Sequence, residues 1–207
     1  MGRPLKHSVH QTDQGPVRTR PRGRPPATST SAIAVTALRL FTAQGYEETT
    51  MDDVARACGI ARRTLFSYYP SKSAIVWDGR DQASAAIAAA LADVPAATDW
   101  RTALARTLPA ALVFPDGDEA LLRSRLRLMA ATPDLRSHLF AVQFSVLDEL
   151  AAFVADRAPG EDGLTVAVAT QAALSAMTAG LLWWAANEGQ ELRPTLRRAL
   201  EQVLATG

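Results

Sequence analysis

From Thr28 onward, apolar residues recur at the spacing of one helix face, and glycine and proline interrupt this pattern only between segments. In the first such segment, Ala34, Ala37, Leu38 and Phe41 follow the i, i+3, i+4, i+7 spacing. Runs of alternating β-branched residues bounded by turn residues do not occur, so the sequence predicts no β-sheet. The pattern therefore predicts an all-α fold.

Charge and composition divide the chain into three parts. Residues 1–26 are rich in proline and arginine, have almost no large apolar groups and carry a net charge of +5. The net charge is +1 over residues 27–77 and −5 over residues 78–207. We expect a disordered basic arm over 1–26, a small helical head over 27–72 and a larger helical body over 73–207. The asymmetry favours a polyanionic partner at the N-terminal end, and a merely solvated tail is the alternative.

Several classes of protein are disfavoured by what the sequence lacks. A single cysteine, Cys58, excludes an intrachain disulfide and any multi-cysteine metal site, and three histidines offer little for a metal centre. The glycine-rich phosphate loop, the G-x-S-x-G turn and the H-E-x-x-H pair do not occur. We therefore predict no cofactor, no metal and no enzymatic activity. Because the N-terminus lacks the apolar core of a secretion signal, we expect a cytoplasmic protein.

Residues 45–72 predict two short helices joined by a glycine turn. Thr50 caps the first helix, and Asp53, three residues later, completes a capping box. Gly59 ends that helix, and a second helix is expected over Arg62–Tyr68. The second helix should end before Tyr69, because Pro70 disfavours helical conformation at the residue before it.

The second of these helices carries the side chains that a DNA-binding helix needs. A helix in the major groove must present hydrogen-bond donors near its start, where Arg62, Arg63 and Thr64 lie. A guanidinium can bind guanine O6 and N7, and the threonine methyl group can contact a thymine methyl group. Leu65 is expected to pack inward against Val54 and hold the two helices together.

This segment resembles the TetR family of bacterial transcription regulators. The matching residues are Gly45-Tyr46, Thr49-Thr50-Met51, Val54-Ala55, Gly59-Ile60, Thr64-Leu65, Phe66, Tyr68-Tyr69 and Pro70-Ser71-Lys72. The resemblance implies a three-helix helix-turn-helix head that contacts operator DNA through Thr50, Arg62, Arg63, Thr64, Phe66, Tyr68 and Lys72. One departure is Ala61, where many members have serine or threonine, because its methyl group can neither cap a helix nor bind phosphate.

The arm contains a second DNA-binding signal. Pro21-Arg22-Gly23-Arg24-Pro25 resembles an AT-hook core, in which an extended Arg-Gly-Arg lies in the narrow minor groove of A·T-rich DNA. Arg22 and Arg24 are the predicted contacts. The alternative is a solvated arm with nonspecific affinity only.

Behind the head, Ser71 is expected to cap a single long fourth helix that ends before Pro95. Further helices are predicted over 99–114, 118–131, 133–157, 164–188 and 194–204. Because residues 133–157 are apolar on two faces, we expect that helix to lie inside a bundle.

In TetR-like proteins the space between such helices holds an inducer. The candidate lining residues are Trp77, Trp100, Phe114, Met129, Phe140, Phe144 and Trp183, with Arg123, Arg127, His138 and Gln143 as polar anchors. For each aromatic residue, ordinary core packing is the alternative. Arg123 and Arg127 share a helix face and either hold an anionic head group or form a solvated surface.

Residues 163–187 contain no charged side chain, which raises the question of a membrane span. The segment is mainly small residues without flanking basic clusters, so we expect a helix surrounded by protein and no membrane partner. The resemblance implies that the last two long helices form a homodimer interface, with Ala172, Ala176, Leu181, Trp184 and Leu200 as candidates.

These observations predict a homodimeric, ligand-responsive repressor that binds operator DNA and is released by a small molecule. The fourth helix is the expected lever between the two functions. Residues 70–77 and 123–129 further resemble the TetR-type regulators that accompany mycofactocin biosynthesis genes in actinobacteria, which implies an acyl-CoA-like inducer. An activator with the same head, or an all-α enzyme or adaptor that retains the head as a scaffold, are the alternatives.

Overall fold

Ten α-helices form the regular structure of the described residues, and no strand occurs among them. The computed structural model describes residues 29–112 and 118–204, with only the helical backbone at 139–145. The helices are α1 (Thr30–Gln44), α2 (Met51–Ala57), α3 (Arg62–Tyr68), α4 (Lys72–Val76), α5 (Arg80–Ala92), α6 (Trp100–Ala110), α7 (Glu119–Ala131), α8 (Pro133–Arg157), α9 (Gly163–Ala186) and α10 (Leu192–Leu204). The all-α prediction is confirmed.

The first three helices form the head around a small apolar core. The Ser29 hydroxyl caps α1 by accepting a hydrogen bond from the Ala32 amide at 3.1 Å. Gly45 ends α1 with a φ of 98°, a conformation that a side chain would strain. Val54 of α2 and Leu65 of α3 are both fully buried, as predicted. Burying each such side chain stabilises the fold by about 1.5–3 kcal/mol, so this contact fixes α3 against α2.

The connection between head and body differs from the sequence prediction. The single fourth helix expected from Ser71 to before Pro95 is wrong, because the chain forms α4 and α5 with a break between them. Gly79, at the break, has a φ of 86°, which is the left-handed region that glycine adopts without strain. The amide of Asp78 donates to Ile75 O at 3.2 Å, which closes the last turn of α4. The head therefore joins the body through a short non-helical link.

In the body, α9 packs against α7, α8 and α10, while α6 packs against both α5 and α10. The bounds of α8 are those predicted, and those of α7, α9 and α10 agree within two residues. Helix α6 ends at Ala110, four residues earlier than expected. The body core includes fully buried side chains from four helices: Leu104, Leu135, Leu150, Trp184 and Leu196.

Candidate nucleic-acid interface

A reciprocal capping box fixes the start of α2. The Thr50 hydroxyl donates to Asp53 Oδ2 at 2.6 Å and accepts from the Asp53 amide at 3.2 Å. The Thr50 amide in turn donates to Asp53 Oδ2 at 3.0 Å. The hydrogen bond from the Thr50 hydroxyl is the main cause that lowers the pKa of Asp53, with the Thr50 amide and Arg56 adding to it. Asp53 is therefore charged at neutral pH, as the positive end of a helix dipole favours.

The turn between α2 and α3 depends on Gly59, whose φ is 66°. The Ile60 amide donates to Ala55 O at 3.0 Å, which closes the end of α2. Cys58 lies partly buried beside this turn, and burial raises the pKa of its thiol. Ala61 begins α3 without a side-chain cap, as its methyl group requires.

The outward face of α3 is basic and aromatic. Arg62, Arg63 and Thr64 are exposed, while Phe66 and Tyr68 remain 39% and 44% exposed. Arg62 Nε lies 3.2 Å from Asp52 Oδ1, and its guanidinium lies 5.3 Å from the centre of the Phe66 ring. Arg63 forms no ion pair with any described residue. The predicted DNA-contacting residues of α3 are thus all accessible.

Lys72 has a contact that the sequence did not predict. Its ammonium group donates to Tyr46 O at 2.6 Å and to Glu47 O at 3.4 Å. It also lies 4.4 Å from the centre of the Tyr46 ring. Lys72 therefore ties the start of α4 to the loop between α1 and α2. Phosphate binding by Lys72 stays a prediction.

Two family models match the chain. Residues 33–76 match the model described as bacterial regulatory proteins, tetR family, and residues 98–207 match the MftR C-terminal domain. The second match alone covers more than half of the chain. This chain belongs to the TetR family. The regulator therefore combines a TetR head with an MftR-type body, which confirms the resemblance noted in residues 45–72.

A relative described as a mycofactocin biosynthesis transcriptional regulator, MftR from Mycobacterium tuberculosis, is 35% identical over 139 residues. The alignment covers 67% of this chain and 70% of that protein. FadR from Bacillus subtilis, solved with stearoyl-CoA, superposes with a TM-score of 0.63 at 17% identity, covering 84% of this chain and 97% of that one. FadR from Thermus thermophilus, solved with lauroyl-CoA, gives a TM-score of 0.54 at 22% identity, with coverages of 85% and 93%. Family and relatives are transcriptional regulators, which decides against the enzyme alternative.

In this TetR-family regulator, Arg123 and Arg127 cap a helix. Arg123 donates to the carbonyl oxygens of Trp184 and Asn187, and its guanidinium lies 3.8 Å from the centre of the Trp184 indole. Arg127 Nε donates to Ala185 O at 2.6 Å. These carbonyls belong to the last turn of α9 and the residue after it, and the Trp184 carbonyl also accepts from the Asn187 amide at 3.2 Å. Main-chain carbonyls thus engage both arginines, but Arg127 is also exposed and pairs with Glu188 Oε1 at 3.0 Å, as expected of a solvated face. Anion binding by either arginine stays a prediction.

The two neighbouring tryptophans of α9 have the opposite placement from that predicted. Trp184, a candidate for the dimer interface, is fully buried within the chain, and its Nε1 donates to Gln190 O at 2.9 Å. Leu200 is fully buried and Ala176 nearly so, so these residues have little or no surface for a partner. Trp183, a candidate for the inducer site, is instead 43% exposed. A helix without charged residues has no polar face that would indicate which side is buried.

The remaining ligand candidates separate into three groups. Trp100 and Met129 are buried core residues. Trp77 and His138 approach each other, with ring centroids 6.4 Å apart. The other ligand candidates lie outside the described residues or side chains: Phe114, Phe140, Gln143 and Phe144. The predicted DNA contacts Arg22 and Arg24 of the arm also lie outside the described residues.

Two residues at the junction of head and body were not singled out from the sequence. Arg125 of α7 is buried, and its guanidinium donates to Asp78 O in the link at 2.9 Å. The Tyr69 hydroxyl donates to Thr30 O at 3.0 Å, and burial, followed by the charge of Asp78, raises the pKa of this phenol. The sequence did contain a signal for Arg125. It lies two residues from Arg123, so it is on a different side of α7 from Arg123 and Arg127 and must contact a different part of the chain.

Proposed function

We propose that this regulator represses transcription by binding operator DNA as a homodimer and that a small-molecule inducer releases it. The observation that carries the proposal is the face of α3, where Arg62, Arg63 and Thr64 are exposed while Leu65 is buried against α2. This is the arrangement with which a recognition helix reads base edges in the major groove. Such a protein acts on chromosomal DNA in the cytoplasm.

In this proposal, the three predicted segments have separate tasks. Residues 27–72 read the major groove, with Thr50, Phe66, Tyr68 and Lys72 around the recognition helix as phosphate or base contacts. Arg22 and Arg24 of the arm enter an adjacent minor groove. Residues 73–207 bind the inducer and the second copy. Deleting residues 1–26 should weaken operator binding and flatten its salt dependence.

The proposed dimer surface is the apolar stripe of α9, which consists of Leu164, Val168 and Trp183 together with Val203 of α10. Their exposed fractions are 73%, 60%, 43% and 36% in the single chain. By length and composition alone α9 is also apolar enough to cross a membrane, and a third of its most apolar window is buried. A partner chain explains the stripe better, since α9 packs against four other helices. Of the predicted interface residues, Ala172 and Leu181 keep partial exposure.

The test of this surface is the mass of the protein in solution. L164E/V168E should convert a dimer to a monomer in size-exclusion chromatography with light scattering, because four carboxylates would be buried at a two-fold interface. The control A85E/A89E adds the same charge to exposed positions of α5 and should remain dimeric. A dimeric L164E/V168E variant would contradict the proposed surface.

The proposed inducer is an acyl-CoA-like molecule that contacts Trp77. This follows the acyl-CoA complexes of the two FadR proteins and the MftR-type body. Trp77 Nε1 is buried and has no hydrogen-bond acceptor among the described residues, which leaves a donor for a ligand carbonyl. Trp77 ends α4 and lies two residues before Gly79. A ligand bound there would act directly on the link between head and body.

The proposed mechanism is a coupling free energy between the inducer site and α3. Arg125 holds Asp78 of the link to α7, and α7 holds the end of α9 through Arg123 and Arg127. A shift of the link on ligand binding would therefore change the spacing of the two recognition helices. Nearly complete release requires about 5.5 kcal/mol of differential affinity, so the ligand must make extensive contacts.

Fluorescence anisotropy with labelled DNA from upstream of the protein's own gene tests the proposal. Wild-type protein should bind this DNA at least about 1000-fold more tightly than scrambled DNA, which is the ratio typical of specific over nonspecific DNA binding. Lauroyl-CoA should release it, while coenzyme A and laurate separately should not. Failure to bind any DNA specifically, there or across the genome, would contradict the proposal.

A further inference from the structure

A groove between α6 and α10 concentrates positive charge on a body that is otherwise acidic. It has a volume of about 690 Å³ and lies outside the proposed DNA, dimer and inducer surfaces. Its lining includes three arginines, Arg106, Arg193 and Arg197, and one carboxylate, Glu201. The groove therefore carries a local charge of +2, whereas residues 78–207 together carry −5.

Two of these arginines have no partner in the part of the chain that the structure describes. Arg197 Nε lies 3.7 Å from Glu201 Oε1, on the same face of α10. Arg106 and Arg193 form no ion pair or hydrogen bond within residues 29–112 and 118–204, and both are exposed. The two residues line the same groove from different helices, Arg106 from α6 and Arg193 from α10. Their guanidinium groups are available to bind an anion bidentately.

The floor of the groove is apolar. Ala105, Pro109 and Ala110 of α6 form this floor, and Thr102 adds a hydroxyl group to the lining. A ligand with a single carboxylate group would not neutralise the local charge of +2. A phosphate monoester carries about −2 at neutral pH, which matches the local charge, and a terminal diphosphate is more negative still.

We propose that the groove between α6 and α10 binds a small organic phosphate, with Arg106, Arg193 and Arg197 holding the phosphate groups and the α6 floor contacting the apolar part. The volume lies within the ~300–1000 Å³ range of small-molecule sites. Because the arginines are exposed, the affinity should decrease as the salt concentration rises. This site does not depend on the proposed inducer, since Trp77 does not line the groove.

Isothermal titration calorimetry of the full chain with ADP, inorganic pyrophosphate and adenosine tests the proposal. ADP should bind, pyrophosphate should bind more weakly, and adenosine should not bind. R193A/R197A should weaken ADP binding at least tenfold, because two charge-assisted contacts are lost. The control R39A/R80A removes the same charge from exposed positions of α1 and α5 and should retain wild-type ADP affinity.

Three outcomes would overturn the proposal: no ADP binding to the wild type, equal ADP affinity in R193A/R197A and the wild type, or equal losses in R193A/R197A and the control. Pyrophosphate that binds as tightly as ADP would also overturn it, because no organic part would then be recognised. Operator binding by R193A/R197A without added ligand should equal that of the wild type. That measurement separates the two proposals, since failure of DNA binding by the wild type would contradict only the proposed function.

Discussion

The head and the body use arginine in opposite ways. On α3, Arg62 and Arg63 are exposed, and Arg63 has no partner among the described residues. On α7, Arg123, Arg125 and Arg127 donate to main-chain carbonyl oxygens of α9 and of the link. The same side chain thus provides accessible donors in one region, where we propose DNA contacts, and holds helices together in the other. The charge of an arginine therefore does not by itself identify a ligand-binding residue. Whether main-chain carbonyl oxygens already accept hydrogen bonds from its guanidinium must also be known.

The largest expected effect is on DNA binding by the head. R62A/R63A should weaken operator binding about 100-fold or more, since each guanine contact contributes about 1–3 kcal/mol. The free energy of unfolding should change by less than about 1 kcal/mol, because the Arg62–Asp52 pair is exposed. Anisotropy and urea unfolding measure the two quantities. A large loss of stability with unchanged operator affinity would make α3 resemble α7 and break the comparison.

Arg123 should show the reverse. R123A should lower the free energy of unfolding by about 3 kcal/mol, because it leaves the Trp184 and Asn187 carbonyls without their charged donor. The folded protein should keep its operator affinity. R136A removes an exposed arginine of α8 and should leave stability unchanged, which controls for the loss of charge. Equal stability of R123A and R136A in urea unfolding would contradict the capping role.

Arg125 lies between the two regions and should affect both measurements. R125A should lower the free energy of unfolding by about 2 kcal/mol, because the Asp78 carbonyl loses a charged donor. It should also change operator affinity by about threefold to tenfold, since coupling residues contribute about 0.5–2 kcal/mol. If operator affinity stays at the wild-type value while stability falls, Arg125 is a core residue without a coupling role.

The smallest effect concerns the aspartates that cap α2 in the head and α9 in the body. Hydrogen bonds from Thr50 and Thr165 lower the pKa of Asp53 and Asp162 respectively. Each therefore contributes stability that is present above the unfolded-state pKa and is lost as the pH falls through the folded-state pKa. D53N and D162N should each flatten the decrease in melting temperature between pH 5 and pH 2 relative to the wild type. If the melting temperature of either variant falls between pH 5 and pH 2 as steeply as that of the wild type, the cap assigned to that helix is contradicted.

The sequence predicted those features that depend on local patterns. Caps and prolines gave the bounds of α8, and periodicity placed Val54 and Leu65 inside the head. The break at Gly79 was missed because alanine-rich helix follows it directly, and an isolated glycine is tolerated in a helix at a cost of about 1 kcal/mol.

Features that depend on packing between distant segments were not predictable in the same way. The spacing of Arg123 and Arg127 showed that they share a face, but their acceptors lie about sixty residues later in the chain. Trp183 and Trp184 were assigned to the wrong environments because the uncharged α9 gives no periodic signal of its buried side. The exposure of Arg62, Arg63 and Thr64 was predictable, since the helix-turn-helix is local and the outward side of α3 carries the charged residues.

The most direct test of the central claim is a dimethyl sulfate protection footprint of the operator, which reports access to guanine N7 in the major groove. Two clusters of protected guanines are expected about one helical turn apart, one for each copy of α3. R62A/R63A, used at concentrations that restore binding, should lose this protection. Protection that persists in the variant, or a bound operator with no protected guanine, would contradict major-groove recognition by α3.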